Sequence, residues 1–172
     1  MIPHSPASFK KAKRIRYLLT DIDGVLTNGI ILMNELGEEI IGFSIYDGLG
    51  FSLLKKANIP VGWISGRTSK AVMKRAADLE ISECHLGVSN KIETYNEILA
   101  RHHLKDEEVS YVGDDLIDLP ILRRVGLAIS VPNAVDSVKN EVDWVTQKRG
   151  GEGAVREVAD LILLAQGRDN GT

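Results

Sequence analysis

The sequence has few of the residues that mark secreted or membrane proteins. Cys84 is the single cysteine in 172 residues, which excludes an intrachain disulfide framework and favours a reducing compartment. No apolar run reaches the roughly 18–20 residues that a membrane span needs. Basic residues near the N-terminus are not followed by the apolar segment of a signal peptide. We therefore expect a cytoplasmic protein with no membrane partner, in which Cys84 is structural.

Neither sign of charge is in large excess, because 21 basic and 24 acidic residues give a formal net charge of −3. Nucleic acids select surfaces with clustered positive charge, so we expect no nucleic-acid partner. Hydrophobic residues make up 44% of the chain, which is enough for a full core. A chain of this length suits one domain, and we predict a single domain over residues 1–172.

The most informative feature that is present is a pair of aspartates, Asp21 and Asp23, at the end of an apolar run. The run predicts a buried parallel strand, so both carboxylates lie at the C-terminal edge where α/β sheets place their chemistry. One carboxylate can attack an electrophile while the other handles a proton. Gly24 lets the backbone turn sharply after them. An ordinary acidic turn can have the same Asp-x-Asp triplet. The residues further along the chain must therefore decide between a catalytic pair and an acidic turn.

Strand-like and helix-like segments alternate along the chain. From residue 59 onward, short apolar strands alternate with helices of about ten residues, which predicts right-handed crossovers and a parallel sheet. Residues 28–45 predict a β-hairpin, and Asp47 fits the N-cap of the following helix. Residues 166–172 predict a frayed tail. The predicted fold class is α/β, with a Rossmann-like parallel sheet, helices on both faces and a protruding hairpin.

Polar groups follow three more of the predicted elements. An apolar strand at residues 61–64 ends at a hydroxyl, a lysine follows a glycine-containing loop near residue 90, and an acidic pair follows the strand at 109–113. The carboxyl ends of parallel strands meet at one edge, so these groups are expected close together.

The chain resembles the haloacid dehalogenase superfamily at all four of its motifs. In order, the matching positions are residues 21–27 (DIDGVLT), residues 61–67 (VGWISGR), Lys91 and residues 111–118 (YVGDDLID). Most members are Mg²⁺-dependent phosphatases, so the resemblance implies phosphate-ester hydrolysis. Asp21, which ends the strand, is the expected nucleophile and forms an aspartyl-phosphate. Asp23 is the expected acid and base for the leaving oxygen and the attacking water.

Crowded carboxylates repel each other unless a divalent cation neutralises them, and Mg²⁺ prefers one or two carboxylates together with other oxygen ligands. Asp21 and Asp114 are the expected carboxylate ligands, and the resemblance adds the backbone carbonyl of Asp23. Asp115 is expected behind them, where it orients waters or Lys91. Asp118 either shares that face or only favours the helix dipole, and the sequence leaves both possibilities open.

The remaining candidate residues would bind the substrate. Ser65 and Lys91 are expected to donate to the transferring phosphoryl group. Arg67, directly after Gly66, offers a guanidinium that suits a carboxylate or a phosphate, although a surface arginine is the alternative. Asp47 and Gly48 are further candidates for substrate contacts.

About forty residues separate Thr27 from Arg67, and the hairpin with its following helix occupies them. The superfamily's large cap domain is therefore expected to be absent, which leaves the site open to water unless another subunit covers it. The apolar hairpin is the candidate for that contact, and the alternative is an edge ribbon folded onto its own core.

A narrower resemblance covers most of the chain. The chain is similar to the 3-deoxy-D-manno-octulosonate 8-phosphate phosphatase family. The similar segments are residues 21–27, 47–50 (DGLG), 64–67, 111–118 and 153–158 (GAVREV). That family is capless, uses Mg²⁺ and forms homotetramers in which neighbouring hairpins pair and tail and loop residues complete a neighbour's site. The resemblance implies release of phosphate from an eight-carbon sugar acid during lipopolysaccharide precursor synthesis.

Some positions depart from that family's pattern. Asn28 replaces a common acidic residue, Tyr46 and Leu49 replace an arginine and a tyrosine, and Glu152 resembles the related nine-carbon sugar-acid 9-phosphate phosphatases. Arg67, in contrast, matches the eight-carbon enzymes. The nine-carbon substrate therefore remains an alternative.

Two non-enzymatic classes share part of this pattern. A phospho-accepting receiver domain carries its acidic pair early and the phosphorylated aspartate later, which is the reverse of the order here. An inactive interaction subunit would be expected to lack one of the motif residues, and all are present. The histidines show no metal-ligand spacing and are expected to be structural. The glycine-rich segment 150–153 lacks the Lys-Ser/Thr pair of a P-loop and is expected to be mobile enough to close over a ligand.

Overall fold

The computed structural model describes residues 5–168, so His4 and residues 169–172 of the predicted tail lie outside it. The strands are β1 Tyr17–Thr20, β2 Leu32–Met33, β3 Glu39–Ile40, β4 Val61–Ile64, β5 Glu83–His85, β6 Val109–Val112, β7 Leu127–Ser130 and β8 Trp144–Val145. The α-helices are α1 Pro6–Ala12, α2 Ile45–Lys56, α3 Lys70–Asp78, α4 Lys91–His102, α5 Leu119–Leu122, α6 Asp136–Lys139 and α7 Ala154–Ala165. Short 3₁₀ helices span Asp106–Glu108 and Leu116–Asp118.

Six strands form one parallel sheet in the order β5-β4-β1-β6-β7-β8. The last residue of β1, Thr20, is level with Trp63 of β4 and with Val112 of β6. The loops after these three strands therefore leave the sheet side by side at its C-terminal edge. The predicted α/β class with a Rossmann-like parallel sheet is confirmed.

Helices cover both faces of this sheet because successive strand residues point to opposite sides. Leu18 of β1 belongs to a core shared with residues of α2 and α7, whereas Leu19 belongs to a second core that includes residues of α4 and α5. All four residues of β1 are buried. Such two-sided burial explains why the strand reads as a continuous apolar run.

The hairpin is shorter than predicted, because β2 and β3 pair through two residues each. Its tip leaves large apolar side chains in solvent, including Met33, Leu36 and Ile40, which are 64%, 79% and 62% exposed. Ile41 and Phe43, at its base, pack against the main core. The base therefore folds on its own domain while the tip does not.

Within residues 5–168 no cap domain is inserted between the elements, and no helix is long and apolar enough to cross a membrane.

The prediction that Asp47 caps α2 is wrong. Ser44 is the N-cap, and its hydroxyl accepts a hydrogen bond from the backbone N–H of Tyr46 at 3.2 Å. Asp47 lies in the first turn and accepts from the backbone N–H of Arg156 at 2.7 Å. Its carboxylate therefore satisfies the N-terminus of α7, whose first N–H groups have no partner within the helix.

Two of the histidines bind one carboxylate. Nε2 of His85 lies 2.6 Å from Glu83 Oε2, and Nε2 of His102 lies 2.9 Å from Glu83 Oε1. Arg101 donates to both oxygens of the same carboxylate. Glu83 begins β5, so this cluster lies at the edge of the sheet opposite the C-terminal ends of the strands. It joins β5 to the end of α4, which agrees with the structural role predicted for these histidines.

Candidate active site

Three aspartates converge at the C-terminal edge of the central strands. Asp21 follows β1, and Asp114 and Asp118 come from the segment after β6. Each offers a carboxylate oxygen, and these oxygens all lie within 4.8 Å of one another. The backbone N–H of Asp21 donates to the carbonyl of Val112 at 2.9 Å, which fixes the first loop beside the second. The fold thus brings together groups that are distant in sequence.

Lys91, the first residue of α4, lies between two of these carboxylates. Its Nζ is 2.8 Å from Asp21 Oδ1 and 2.8 Å from Asp118 Oδ1, and the residue is only 5% exposed. Burial opposes the charge of this ammonium group, but the two adjacent carboxylates outweigh burial and raise the pKa of Lys91 above its ordinary value. Lys91 is therefore a charged group held at the floor of the site.

Asp118 is fully buried, and its carboxylate accepts hydrogen bonds from four groups of the site. Its Oδ1 accepts from Lys91 and, at 2.7 Å, from the hydroxyl of Tyr111. Its Oδ2 accepts from the backbone N–H groups of Asp114 and Asp115 at 3.0 and 3.2 Å. The carboxylate of Asp118 therefore lies on the face of the site, beside Lys91 and the loop after β6. With its oxygens occupied in this way, Asp118 positions Lys91 and the loop after β6.

Asp115 does not contact Lys91, contrary to one of the roles predicted for it. Its side chain is directed to its own turn, where Oδ1 accepts from the backbone N–H of Leu116 at 2.7 Å. It is exposed, whereas Asp118 is buried. The physical reason is the 3₁₀ turn Leu116–Asp118, which directs the residue three positions later into the core and leaves Asp115 as its cap.

The space for Asp114 depends on a missing side chain. Gly24 has φ +84°, and a Cβ there would lie 1.9 Å from Asp114 Oδ2. Burial and then the negative charges of neighbouring aspartates raise the pKa of the Asp21 and Asp114 carboxyls above the ordinary value. A divalent cation would relieve this repulsion, so a cradle of hard carboxylate oxygens, left open by a glycine, fits Mg²⁺. With Asp118 engaged by Lys91 and Tyr111, Asp21 and Asp114 are the carboxylates that could hold the ion.

Asp23 faces a second cluster at the mouth of the site. Its Oδ2 accepts from the hydroxyl of Ser65 at 3.2 Å, and its Oδ1 accepts from Nη1 of Arg67 at 2.6 Å. The same Ser65 hydroxyl accepts from the backbone N–H of Arg67 at 3.0 Å. Asp21 and Asp23 therefore have different surroundings, because one is bound by the buried Lys91 and the other by a half-exposed arginine.

Asp47 and Gly48, predicted to contact substrate, do not line this cluster. Asp47 is 3% exposed and bonds to α7, and Gly48 is packed so that a Cβ would lie 2.9 Å from Nη2 of Arg75. In this structure both residues make contacts within the domain, Asp47 with α7 and Gly48 with Arg75. Their role as substrate ligands therefore stays a prediction.

The glycine segment 150–153, which was expected to be mobile enough to close over a ligand, is bound to the loop after β1. The N–H of Gly151 donates to the carbonyl of Val25 at 3.1 Å. Asn133, which sequence reasoning missed, donates to the carbonyl of Gly24 and accepts from the N–H of Gly150, both at 2.8 Å. Nothing in the residues around Asn133 signals this role, because both partners are distant in sequence.

A parallel sheet with an aspartate pair after its central strand, and with a lysine and a second acidic pair from later loops, defines a haloacid dehalogenase-like hydrolase. The profile of haloacid dehalogenase-like hydrolases matches residues 79–158. A 3-deoxy-D-manno-octulosonate 8-phosphate phosphatase from Salmonella typhimurium is 45% identical over 166 residues, which is 96% of this chain and 88% of the relative. The chain belongs to the 3-deoxy-D-manno-octulosonate 8-phosphate phosphatase family.

Solved structures support the same placement. The 3-deoxy-D-manno-octulosonate 8-phosphate phosphatase of Yersinia pestis superposes with a TM-score of 0.95 at 42% identity, covering 96% of this chain and 90% of that one. The enzyme of the same name from Moraxella catarrhalis superposes with a TM-score of 0.92 at 39% identity, covering 95% and 94%. That second structure holds a magnesium ion, a phosphate ion and a KDO molecule.

Proposed function

We propose that this protein is a Mg²⁺-dependent phosphatase that hydrolyses 3-deoxy-D-manno-octulosonate 8-phosphate to the free sugar acid and phosphate. The observation that carries the proposal is Lys91, buried between Asp21 and Asp118 at the end of β1 and within the same acidic cluster as Asp114. A nucleophilic carboxylate, a fixed cation and a place for a metal are what phosphoryl transfer requires. The named relatives, matched over nearly the whole chain, support the substrate.

The two aspartates of the first loop divide the chemistry. A carboxylate oxygen of Asp21 attacks phosphorus, so the bond from Asp21 to phosphorus forms as the bond from phosphorus to the sugar oxygen breaks. Asp23 gives its proton to that leaving oxygen. Asp23 then takes a proton from a water molecule whose oxygen attacks phosphorus, which breaks the bond to Asp21 and releases phosphate. The position of Asp23, two residues after Asp21 and held at the mouth of the site by Ser65 and Arg67, supports this division.

Asp21 and Asp114 would hold the Mg²⁺ through their carboxylates, with the backbone carbonyl of Asp23 as a further ligand. When bound, the ion neutralises the carboxylates and stabilises negative charge on the phosphoryl oxygens. Lys91 and Ser65 would donate to those same oxygens. Asp118 would hold Lys91 in place, and Asp115 would lie outside the ligands.

The recognition of the sugar acid is assigned to the mouth of the site. Arg67, preceded by Gly66, is half-exposed beside Asp23 and has a planar set of donors that matches a carboxylate. The substrate carries its carboxylate at the end of the molecule away from the phosphate. A substrate whose phosphate lies at Lys91 therefore extends toward the solvent, where Arg67 is one available cation.

We further propose that one domain spans residues 1–172 and that it forms a homotetramer in the cytoplasm, acting in lipopolysaccharide precursor synthesis. The exposed apolar tip of the hairpin supports self-association, since monomers rarely leave such patches in water. Light scattering at micromolar concentration tests the assembly, and a monomeric mass would contradict it.

The decisive experiment is a kinetic comparison of the eight-carbon 8-phosphate with a nine-carbon 2-keto-3-deoxy sugar-acid 9-phosphate, in Mg²⁺ and in EDTA. We expect the higher kcat/KM for the eight-carbon compound and loss of turnover in EDTA. A preference for the nine-carbon compound would replace the substrate, and absence of turnover on both would overturn the proposed function.

A further inference from the structure

The hairpin reaches the candidate active site through one side chain. Glu39, in β3, forms a salt bridge through Oε1 with Nη2 of Arg67. The other terminal nitrogen of the same guanidinium, Nη1, donates to Asp23 Oδ1 at 2.6 Å. Arg67 is thus held between a carboxylate of the catalytic loop and a carboxylate of the hairpin. The side chains of Asp23, Arg67 and Glu39 are 32%, 36% and 23% exposed, so the chain of contacts lies at the mouth of the site.

Because two carboxylates hold Arg67, they determine how its N–H donors are oriented toward a substrate. The planar guanidinium presents its N–H donors in a fixed geometry, so its orientation determines what it can bind. If Glu39 were neutral, Nη2 would lose a charged partner and the plane could rotate about the bond from Nη1 to Asp23. By holding Nη2, Glu39 fixes the plane of the guanidinium while Nη1 stays bonded to Asp23. With both terminal nitrogens held, the guanidinium stays partly exposed at the mouth of the site.

We propose that Glu39 is a positioning residue of this enzyme, which acts through Arg67 to orient the guanidinium for the carboxylate of a sugar-acid substrate. The inference rests on the proposed function for the identity of that substrate. It also gives the hairpin a part in substrate recognition, because the position of β3 determines the position of the Glu39 carboxylate. Glu39 does not touch the reacting atoms, so its effect is on binding rather than on the chemical step.

The test uses Glu39→Gln, which keeps the size of the side chain and removes its charge. We expect KM for the eight-carbon sugar-acid phosphate to rise by about tenfold while kcat changes less than about twofold, because only orientation is lost. Turnover of p-nitrophenyl phosphate, which has no carboxylate, should stay at the wild-type level. Glu38→Gln is the matched control, since Glu38 is the preceding hairpin residue and bonds to Asn34 rather than to Arg67.

A double-mutant cycle separates positioning from a general effect of the hairpin. In an Arg67→Ala background, Glu39→Gln should change KM no further, because the group through which Glu39 acts is gone. Equal KM effects of Glu39→Gln with and without Arg67 would overturn the inference. An unchanged or lowered KM in the single variant would also overturn it. These outcomes all presuppose wild-type turnover of a sugar-acid phosphate, so failure of the proposed function is seen first and separately.

Discussion

The main chains of Gly24 and Gly150 touch so closely that a Cβ at position 150 would lie 1.8 Å from the carbonyl oxygen of Gly24. The first belongs to the loop that carries Asp21 and Asp23, and the second belongs to the loop before α7. Asn133 bonds to both, through its amide nitrogen and its amide oxygen. The loop after β1 is therefore supported by residues more than a hundred positions further along the chain.

We expect Asn133→Ala to lower the free energy of unfolding by about 2 kcal/mol, because two partly buried backbone groups lose their partner. Urea denaturation measures the change. Asn96→Ala is the control, since that residue forms a comparable bond to Arg124 on the exposed surface and should cost less than about 0.5 kcal/mol. Equal losses in the two variants would contradict a supporting role for Asn133.

Gly24→Ala should reduce Mg²⁺-dependent turnover by more than about 100-fold, because the added methyl group displaces the Asp114 carboxylate from its place beside Asp21. The Mg²⁺ dependence of the rate is the measurement. Gly37→Ala is a control for backbone strain, since Gly37 has φ +77° and nothing lies within 4 Å of the position that its added methyl group would take. If both variants lost activity alike, the strain at positive φ rather than the collision would be responsible.

Asp21→Asn should abolish turnover and retain the fold. The amide cannot serve as the nucleophile, so the rate is expected to fall by more than about 1,000-fold. Phosphate release and circular dichroism provide the two measurements. Asp78→Asn, in the exposed salt bridge with Lys74, should leave the rate unchanged. Activity of Asp21→Asn above about a tenth of the wild-type rate would exclude Asp21 as the nucleophile.

The raised pKa of Asp47 predicts that the stability of the fold depends on pH. Burial raises the pKa of this carboxyl to about 6, although the backbone N–H groups at the start of α7 oppose the shift. Between about pH 4 and pH 6 the folded state therefore binds more protons at this position than the unfolded state does. Its contribution to stability is complete below about pH 4 and is lost as the pH rises to about 6.

The measurement is urea denaturation of the wild type and of Asp47→Asn across this range. Asparagine keeps an oxygen for the Arg156 N–H but does not titrate. The stability of the wild type relative to the variant should fall by up to about 3 kcal/mol between pH 4 and pH 7. A difference that stays constant over the range would show that Asp47 has no raised pKa.

Much of the site could be predicted from local pattern. Asp21, Ser65 and Asp114 each follow an apolar strand, and parallel strands bring their carboxyl ends to one edge. The alternation of strands and helices therefore predicts both the α/β fold and the meeting of these residues. The role of Asp47 could not be predicted in this way, because a carboxylate at the start of one helix has the same local pattern whether it caps that helix or another one.

The sequence by itself determined the order of the elements, the edge of the sheet where the chemistry lies and the residue types gathered there, since burial and strand direction follow from short-range periodicity. Only the tertiary structure decided that Lys91 is held by Asp118 rather than by Asp115, that Asn133 supports the catalytic loop and that Glu39 holds Arg67. Each of these contacts joins side chains from different elements. Their distances depend on how the whole core packs, which no local segment encodes.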